Sequence, residues 1–534
     1  MQYIQIFDPV SHSVNASAAL AVLPLFILFL LLGVLRMQAR WAAMISLAMS
    51  MIIAIAVYNM PATITFSGAT EGAAIGFFPI IWIGINAIWL FKLTQKSGYA
   101  DVLSRSLTRL NADQRVQSVL IAFCFGALLE ALAGGGAPVA ICAVLLISIG
   151  IDPIKAAAAC LIADTSPVAF GALGLPVTVL AKITSLPVHD LSVMVGRQTI
   201  FSLFIPLILI FIIDGRRGIK EIWPLAIVAG ISFTVMQIVS SMFLPVELVG
   251  AAAALVCAGS SVMFLKIWKP AVMRGHEVDT HTLSSKQDSL QDIVRAFIPY
   301  AAVILVVILT QTEWIRNVMG AVTSTFTWPG LNIIDPEGHA VTATHAKFEW
   351  LLSAGSIVLI AGLLVAPVLK VKFTVVAGLY IKNLYELRWA IFTVCCVVGL
   401  SYVMNLSGQI VTLGLWAANA GSFFAPVSPV LGWFATALTG SDTSANALFG
   451  LLQLTTAQHT GLPGVLLAAA NTSGGVIGKA LSPQNLSVGA VAVGMMGKEG
   501  ILFRQVFIWT LIMIICLSIL VWLQSTPLLN WMIP

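Results

Sequence analysis

Ala163-Asp164-Thr165-Ser166-Pro167 interrupts one apolar run of the chain, and Ala470-Asn471-Thr472-Ser473-Gly474 interrupts another. Downstream, Gly171-Ala172-Leu173-Gly174-Leu175-Pro176 pairs with Gly478-Lys479-Ala480-Leu481-Ser482-Pro483 at the same offset, since 471 − 164 and 483 − 176 both give 307. Upstream, Ala131-Leu132-Ala133-Gly134 resembles Ala437-Leu438-Thr439-Gly440, and each is followed by a polar or glycine-rich break. One such match is weak because small residues are common in membrane helices. Three in order describe an internal repeat. Broken backbone at membrane depth is tolerated only where protein or water satisfies the freed groups, so the repeat points to a transporter-like interior.

Composition sets the surroundings. Of 534 residues, 59% are hydrophobic and 9% charged, against roughly 25% charged in soluble domains. Ala18 to Leu35, Trp41 to Val57, Leu203 to Ile213 with its flanks, and Val506 to Leu523 reach or approach the roughly 20 residues that cross a bilayer. The chain therefore reads as an all-α polytopic membrane protein whose solvent is the lipid bilayer. The first apolar segment ends in Gly33-Val34-Leu35-Arg36 without a small-residue cleavage site, so a retained span is expected. The seven cysteines lie in apolar segments without metal-ligand spacing and read as packing. A net charge of +5 reads as cytoplasmic loop charge, with no nucleic-acid partner implied.

Basic residues gather in alternate loops: Arg36 to Arg40, Lys92 to Arg115, Asp214 to Glu221, Lys266 to Arg295, Lys370 to Arg388, and Lys498 to Arg504. The positive-inside rule places these in the cytoplasm and both termini outside. Between Gln117 and Asp214 an even number of crossings must be kept. That makes 117–150 a re-entrant hairpin with its tip at Gly134 to Pro138, followed by a broken helix over about 154–185. The second half repeats the plan with a hairpin over about 422–460, entering from the opposite side, and a broken helix over about 463–497. The expected architecture is an inverted repeat of 1–216 and 296–534 joined by a linking helix pair and cytoplasmic loop over 217–295. It has about 12 spans, two hairpins and two broken helices, and it suits alternating access.

The chemistry should sit at the breaks, where half-helix N-termini offer unpaired N–H groups to an anion. The candidate binding residues are Gly135 and Gly136, Thr165 and Ser166, Ser441, Thr443, Ser444 and Asn446, and Asn471, Thr472 and Ser473. The competing reading is that these hydroxyls and amides knit helices or cap broken ends. Ionisable groups inside spans are costly and functional by default, which singles out Glu130, Asp164, Asp442 and Lys479 for proton coupling. Lys479 could pair with either aspartate or with substrate, and either aspartate could instead be a helix cap. Arg197 and His459 read more simply as interfacial or solvated groups, and Glu71 and Asn86 as scaffold. No Gly-x-Ser-x-Gly elbow, His-Glu-x-x-His helix or phosphate loop occurs, so an enzyme is the poorer class. No cofactor or metal is implied.

These residues, together with Gly136-Ala137-Pro138-Val139-Ala140-Ile141, the run from Cys160 to Ala172, Val195-Gly196-Arg197-Gln198, Asp214 to Glu221, and the run from Leu438 to Phe449, resemble the L-lactate permease family of bacterial carriers. The stretch from Ala470 to Gln484 completes the resemblance. It implies proton symport of lactate, often with glycolate, across a bacterial inner membrane. It also implies the wider ion-transporter fold, a homodimer and an elevator-like moving domain. The family often carries Asn where this chain has Asp164, whereas Asp442 keeps to its pattern. Sodium-coupled carriage of a related small carboxylate is the alternative, because Asn, Thr and backbone carbonyls at broken helices also suit Na⁺. A passive anion channel would need a continuous polar or basic ring, which the sequence lacks.

Overall fold

A computed structural model describes residues 2–35, 37–99, 102, 111, 113–134, 136–273, 289–310, 312–336, 345–495 and 499–534. Among them, nine helices are long and apolar enough to cross a membrane, or ten with Pro153–Ala163 and Val168–Thr184, which are bent by 63°. The sequence leads one to expect about twelve spans besides the hairpins. Much of the difference lies in runs that hold more than one pass. Val188–Phe243 has 56 residues, roughly 84 Å of helix at 1.5 Å per residue, against a hydrocarbon core of roughly 30 Å. Inside it Gly215 takes φ 62, ψ −151, a conformation open essentially to glycine alone, so the run is two passes hinged there.

Each half contains a helical hairpin broken at glycine. In the first, Gln114–Ser118 continues through the π-helical turn Val119–Phe125 into Gly126–Ala133, and the chain returns as Ala137–Ser148. Gly134 at φ 60 and Gly136 at φ 82 make the tip. In the second, Phe424–Thr439 ends at Gly440, φ 76, and Asp442–Thr460 returns. Ser441 caps the returning arm by accepting from the Ser444 amide at 3.3 Å.

A bent element follows each hairpin. Pro153–Ala163 starts on an Asp152 cap and gives way to a short 3₁₀ turn, Val168–Phe170; helix then resumes within Gly171–Thr184. Ala172, Leu173 and Gly174 all have positive φ. In the second half the break does not fall at Asn471 to Ser473, where the sequence places it. Gly464–Gly478 runs unbroken through those residues, the turn comes at Lys479–Leu481, and Pro483–Ala492 resumes after Ser482. The reason is local: Gly474 stands where the first half has Pro167, and the first proline to stop the helix is Pro483.

Small residues let the second hairpin lie directly on its neighbouring helix. A Cβ on Gly432 would fall 1.9 Å from the Asn471 carbonyl oxygen, one on Gly474 1.9 Å from that of Pro429, and one on Gly478 2.1 Å from that of Trp433. Such close backbone approach is how helices associate where no hydrophobic force separates helix from lipid.

The extramembrane elements are slight. Tyr3–Ile4 pairs in parallel with Ile333–Ile334, and Ser324–Thr327 pairs antiparallel with His345–Phe348. Tyr3 donates its hydroxyl to the carbonyls of Tyr58 at 2.9 Å and Ser407 at 3.1 Å. The N-terminus, the turn near Asn59 and the strand Ile333–Ile334 thus share one end. A separate charged cluster forms where the buried Arg115 donates to Asp113 at 2.7 Å, Asp214 at 3.1 Å, Glu221 at 2.5 Å and the Val272 carbonyl at 3.0 Å. It ties the start of the first hairpin to the Gly215 hinge.

Candidate functional site

The bends bring charge together across the two halves. Lys479, in the turn that ends the second-half helix, reaches Glu130 on the last turn of the first hairpin's leading arm, Nζ to Oε1 2.6 Å. It also reaches Asp164 just past Pro153–Ala163, Nζ to Oδ2 3.0 Å. All three are buried, at 5%, 2% and 5% exposure. Space for the glutamate depends on Gly171, where a Cβ would lie 2.7 Å from Glu130 Oε1. Glu130 Oε2 and Asp164 Oδ1 have no hydrogen-bond partner among the described residues. A buried ammonium facing two carboxylates with spare lone pairs is incompletely compensated. Such clusters are costly and mark function more often than stability.

Asp442 opens the returning arm of the second hairpin at 3% exposure, and neither carboxylate oxygen has a partner among the described residues. The Thr436 hydroxyl lies beside it, equally unpartnered, and both sit over Gly475, where a Cβ would come within 1.9 Å of Asp442 Oδ1. Capping is not its role, since Ser441 fills that place. Lys479 pairs with Asp164 and Glu130 rather than with Asp442.

A cavity of about 450 Å³ takes in Glu130, Asp442 and Lys479, with Asp164 behind Lys479 outside its lining. Glu130, Ser441, Asp442, Thr443, Ser444 and Lys479 line it on the side of the hairpin tips, with Gly134 and Ala172 between them. Gln38 and Arg40 from the start of Ala39–Ala56 and Trp389 and Thr393 from the helix Phe373–Ser407 line it as well. The volume is within the usual range for small-ligand sites and leaves a small hydroxy acid room for water. Hydroxyls beside unpaired carboxylates can bind a compact polar anion and hold a proton near it.

The other expected residues are placed elsewhere. Gly135 lies outside the described residues. Gly136 packs toward Asn485, where its Cβ would be 3.0 Å from Oδ1. Thr165 donates to its own helix at Ile162 O, 2.7 Å, and the Ser166 hydroxyl is buried without a partner among the described residues. Asn471 Nδ2 donates to Asn446 Oδ1 at 2.9 Å, Thr472 Oγ1 to the same oxygen at 3.0 Å, and Asn446 Nδ2 to the Pro176 carbonyl at 3.1 Å. Ser473 Oγ donates to Gln198 Oε1 at 2.9 Å, and Gln453 Nε2 to Asn471 Oδ1 at 3.3 Å. These second-half groups are occupied by one another and by Pro176 and Gln198 of the first half. The sequence does not single out Gln453 or Arg40, since an isolated glutamine in a span and an arginine in a basic loop carry no motif, and Gln198 is marked only as part of Val195-Gly196-Arg197-Gln198.

The remaining candidates are peripheral to the cavity. Arg197 donates to the Met532 carbonyl, His459 is exposed, and Asn86 accepts from the Tyr380 hydroxyl at 3.0 Å. Glu71 is buried in Ala62–Ile75 with both oxygens unpartnered among the described residues.

Known proteins agree with this picture of a membrane carrier. The L-lactate permease of Bacillus subtilis (strain 168) is 39% identical over 100% of both chains. Glycolate permease GlcA of Escherichia coli (strain K12) is 38% identical over 98% of both, and the L-lactate permease of the same strain is 37% identical over 99% of both. Among solved structures, Neisseria gonorrhoeae MtrF aligns at a TM-score of 0.49 with 11% identity, covering 86% of this chain and 84% of that one. The family model described as L-lactate permease matches residues 17–528, and the chain accordingly belongs to the L-lactate permease family of multi-pass membrane transporters.

Proposed function

We propose that the protein carries L-lactate, with D-lactate or glycolate as further cargo, across a bacterial inner membrane by proton symport and alternating access, with both termini outside. The observation that carries this reading is that Glu130, Lys479 and the unpartnered Asp442 line one cavity, with Asp164 paired to Lys479 beside it. Around Lys479, three carboxylates against one ammonium leave the inner part of the site negative. Two like charges about 4 Å apart repel by about 4 kcal/mol at an effective dielectric constant near 20, so an incoming carboxylate is opposed there. A proton taken up by Asp442 or Glu130 halves the net charge of these four groups from −2 to −1, which weakens the opposition and favours proton and anion entering the cavity together. Ser441, Thr443 and Ser444 then supply donors for the cargo carboxylate and partners for its 2-hydroxyl.

Uptake of labelled L-lactate into proteoliposomes tests the reading. An imposed inward proton gradient is expected to drive accumulation, and replacing Na⁺ with K⁺ to leave it unchanged. Equal uptake with and without the gradient removes proton symport; a strict Na⁺ requirement transfers the coupling to sodium. In Asp442→Asn, lactate exchange is expected to persist while gradient-driven accumulation falls at least about tenfold, the behaviour of a lost proton site rather than a lost cargo site.

A further inference from the structure

We propose that Arg40, stacked on Trp389, is a docking site for the cargo carboxylate at the mouth of the cavity. This rests on the carrier reading and deepens it by naming a cation that belongs to neither hairpin nor either bent helix.

Arg40 sits in the first turn of Ala39–Ala56 and lines the same cavity as Glu130, Asp442 and Lys479. Its guanidinium carbon stands 3.9 Å from the Trp389 ring centre and 5.7 Å from that of Trp41. Stacking on the indole fixes the plane of the fork, so less side-chain freedom remains to be lost when a ligand binds. The Nε atom is buried without a hydrogen-bond partner, and no carboxylate among the described residues pairs with this arginine.

The contrast with Lys479 shows which cation is available. Lys479 already faces Glu130 and Asp164, so a third carboxylate there meets net negative charge. Arg40 faces aromatic rings instead. Its planar fork matches a carboxylate through two parallel N–H···O bonds, which a point ammonium does not reproduce. A small carboxylate is thus drawn first to Arg40 and passes to the hairpin tips when the inner wall takes up its proton. The competing role for an arginine between tryptophans near a helix end is an anchor to lipid phosphate. The test separates the two.

Protein purified in detergent is heated with L-lactate, glycolate, acetate or chloride at equal ionic strength. The wild type is expected to be stabilised by the carboxylates and not by chloride. Arg40→Gln, melting as the wild type does without ligand, is expected to need about tenfold more carboxylate for the same gain, and Arg40→Lys to fall between them. If Arg40→Gln does not fold, the Arg40→Lys shift alone decides. Equal carboxylate response in wild type and variants overturns the proposal. So does a difference seen only when anionic phospholipid is added to the micelles, which would make Arg40 a lipid anchor. If uptake of lactate fails while other carboxylates protect the wild type and not Arg40→Gln, the lactate reading falls and the Arg40 assignment stands.

Discussion

Glu130 and Asp164 in the first half and their counterparts in the second hold matching places in the repeat and differ in charge. In the first half, Glu130 and Asp164 are acidic, and each keeps one oxygen unpartnered among the described residues. Their counterparts in the second half are Thr436, since 436 − 130 gives 306, and Asn471, since 471 − 164 gives 307. Thr436 and Asn471 are neutral, and Asn471 is tied to Asn446 and Gln453. The cation moves the other way: Lys479 matches Ala172 at 479 − 172, again 307. One half supplies the anions and the other the ammonium, so the ionic contact forms between halves rather than within either. A contact of that kind depends on how the halves sit against each other.

Removing the ammonium should have the largest effect. Lys479→Ala leaves Glu130 and Asp164 buried beside each other with no counter-charge, a loss of about 3–5 kcal/mol for breaking a buried pair. The expected result is a markedly lower melting temperature and no lactate uptake. Adding Asp164→Asn should recover about half of the lost stability, because it removes the repulsion and leaves a single buried carboxylate beside a neutral amide. A double variant no more stable than Lys479→Ala would mean the three groups are not coupled in energy.

Next in size is the packing difference between matched glycines. Gly432 corresponds to Gly126 in the repeat, since 432 − 126 gives 306. A methyl on Gly432 meets the Asn471 carbonyl at 1.9 Å, whereas one on Gly126 meets Cys142 Sγ at 3.5 Å, an ordinary contact. Gly432→Ala is therefore expected to destabilise by about 1–3 kcal/mol or more through overpacking. Gly126→Ala should be neutral or gain up to about 1 kcal/mol from helix propensity. Thermal melts of the two variants side by side check it; equal losses would mean that the hairpins pack alike.

Much of this architecture can be read from the sequence, for identifiable reasons. The apolar runs, the glycine tips and the charge alternation are local signals, and the hairpin tips at Gly134 and Gly440 follow from them. The charged candidates Glu130, Asp164, Asp442 and Lys479 stand out because charge is expensive in a span, and the structure brings them to or beside one cavity. The break in the second half falls later than the motif suggests, because the likeness of Asn471 to Asp164 does not carry the helix stop. That stop needs a proline: Pro167 follows Asp164 closely, whereas the aligned position after Asn471 is Gly474 and no proline comes before Pro483. Arg40 is not legible as a site at all. Only the approach of Ala39–Ala56 to Trp389 turns a basic-loop residue into a lining one.

The smallest expected effect separates matched threonines. Thr165 donates to Ile162 O, within its own turn, while Thr472, its counterpart at 472 − 165, or 307, donates to Asn446 of the returning hairpin arm. Replacing Thr165 by Val removes a local bond that the helix itself does not need, and the hydroxyl's partner is a carbonyl near the end of Pro153–Ala163. A change within about 0.5 kcal/mol is expected. Thr472→Val takes one of two donors from the buried Asn446 oxygen but leaves the other, Asn471 Nδ2 at 2.9 Å. The oxygen stays satisfied, so the loss should be about 1 kcal/mol, that of one net hydrogen bond rather than of an orphaned acceptor. Thr472→Val combined with Asn471→Ala would orphan it, and the double variant should lose more than the two singles together. Simple additivity in thermal melts would show that the second-half amides act independently, and that the two halves differ in charge without differing in how firmly their breaks are held.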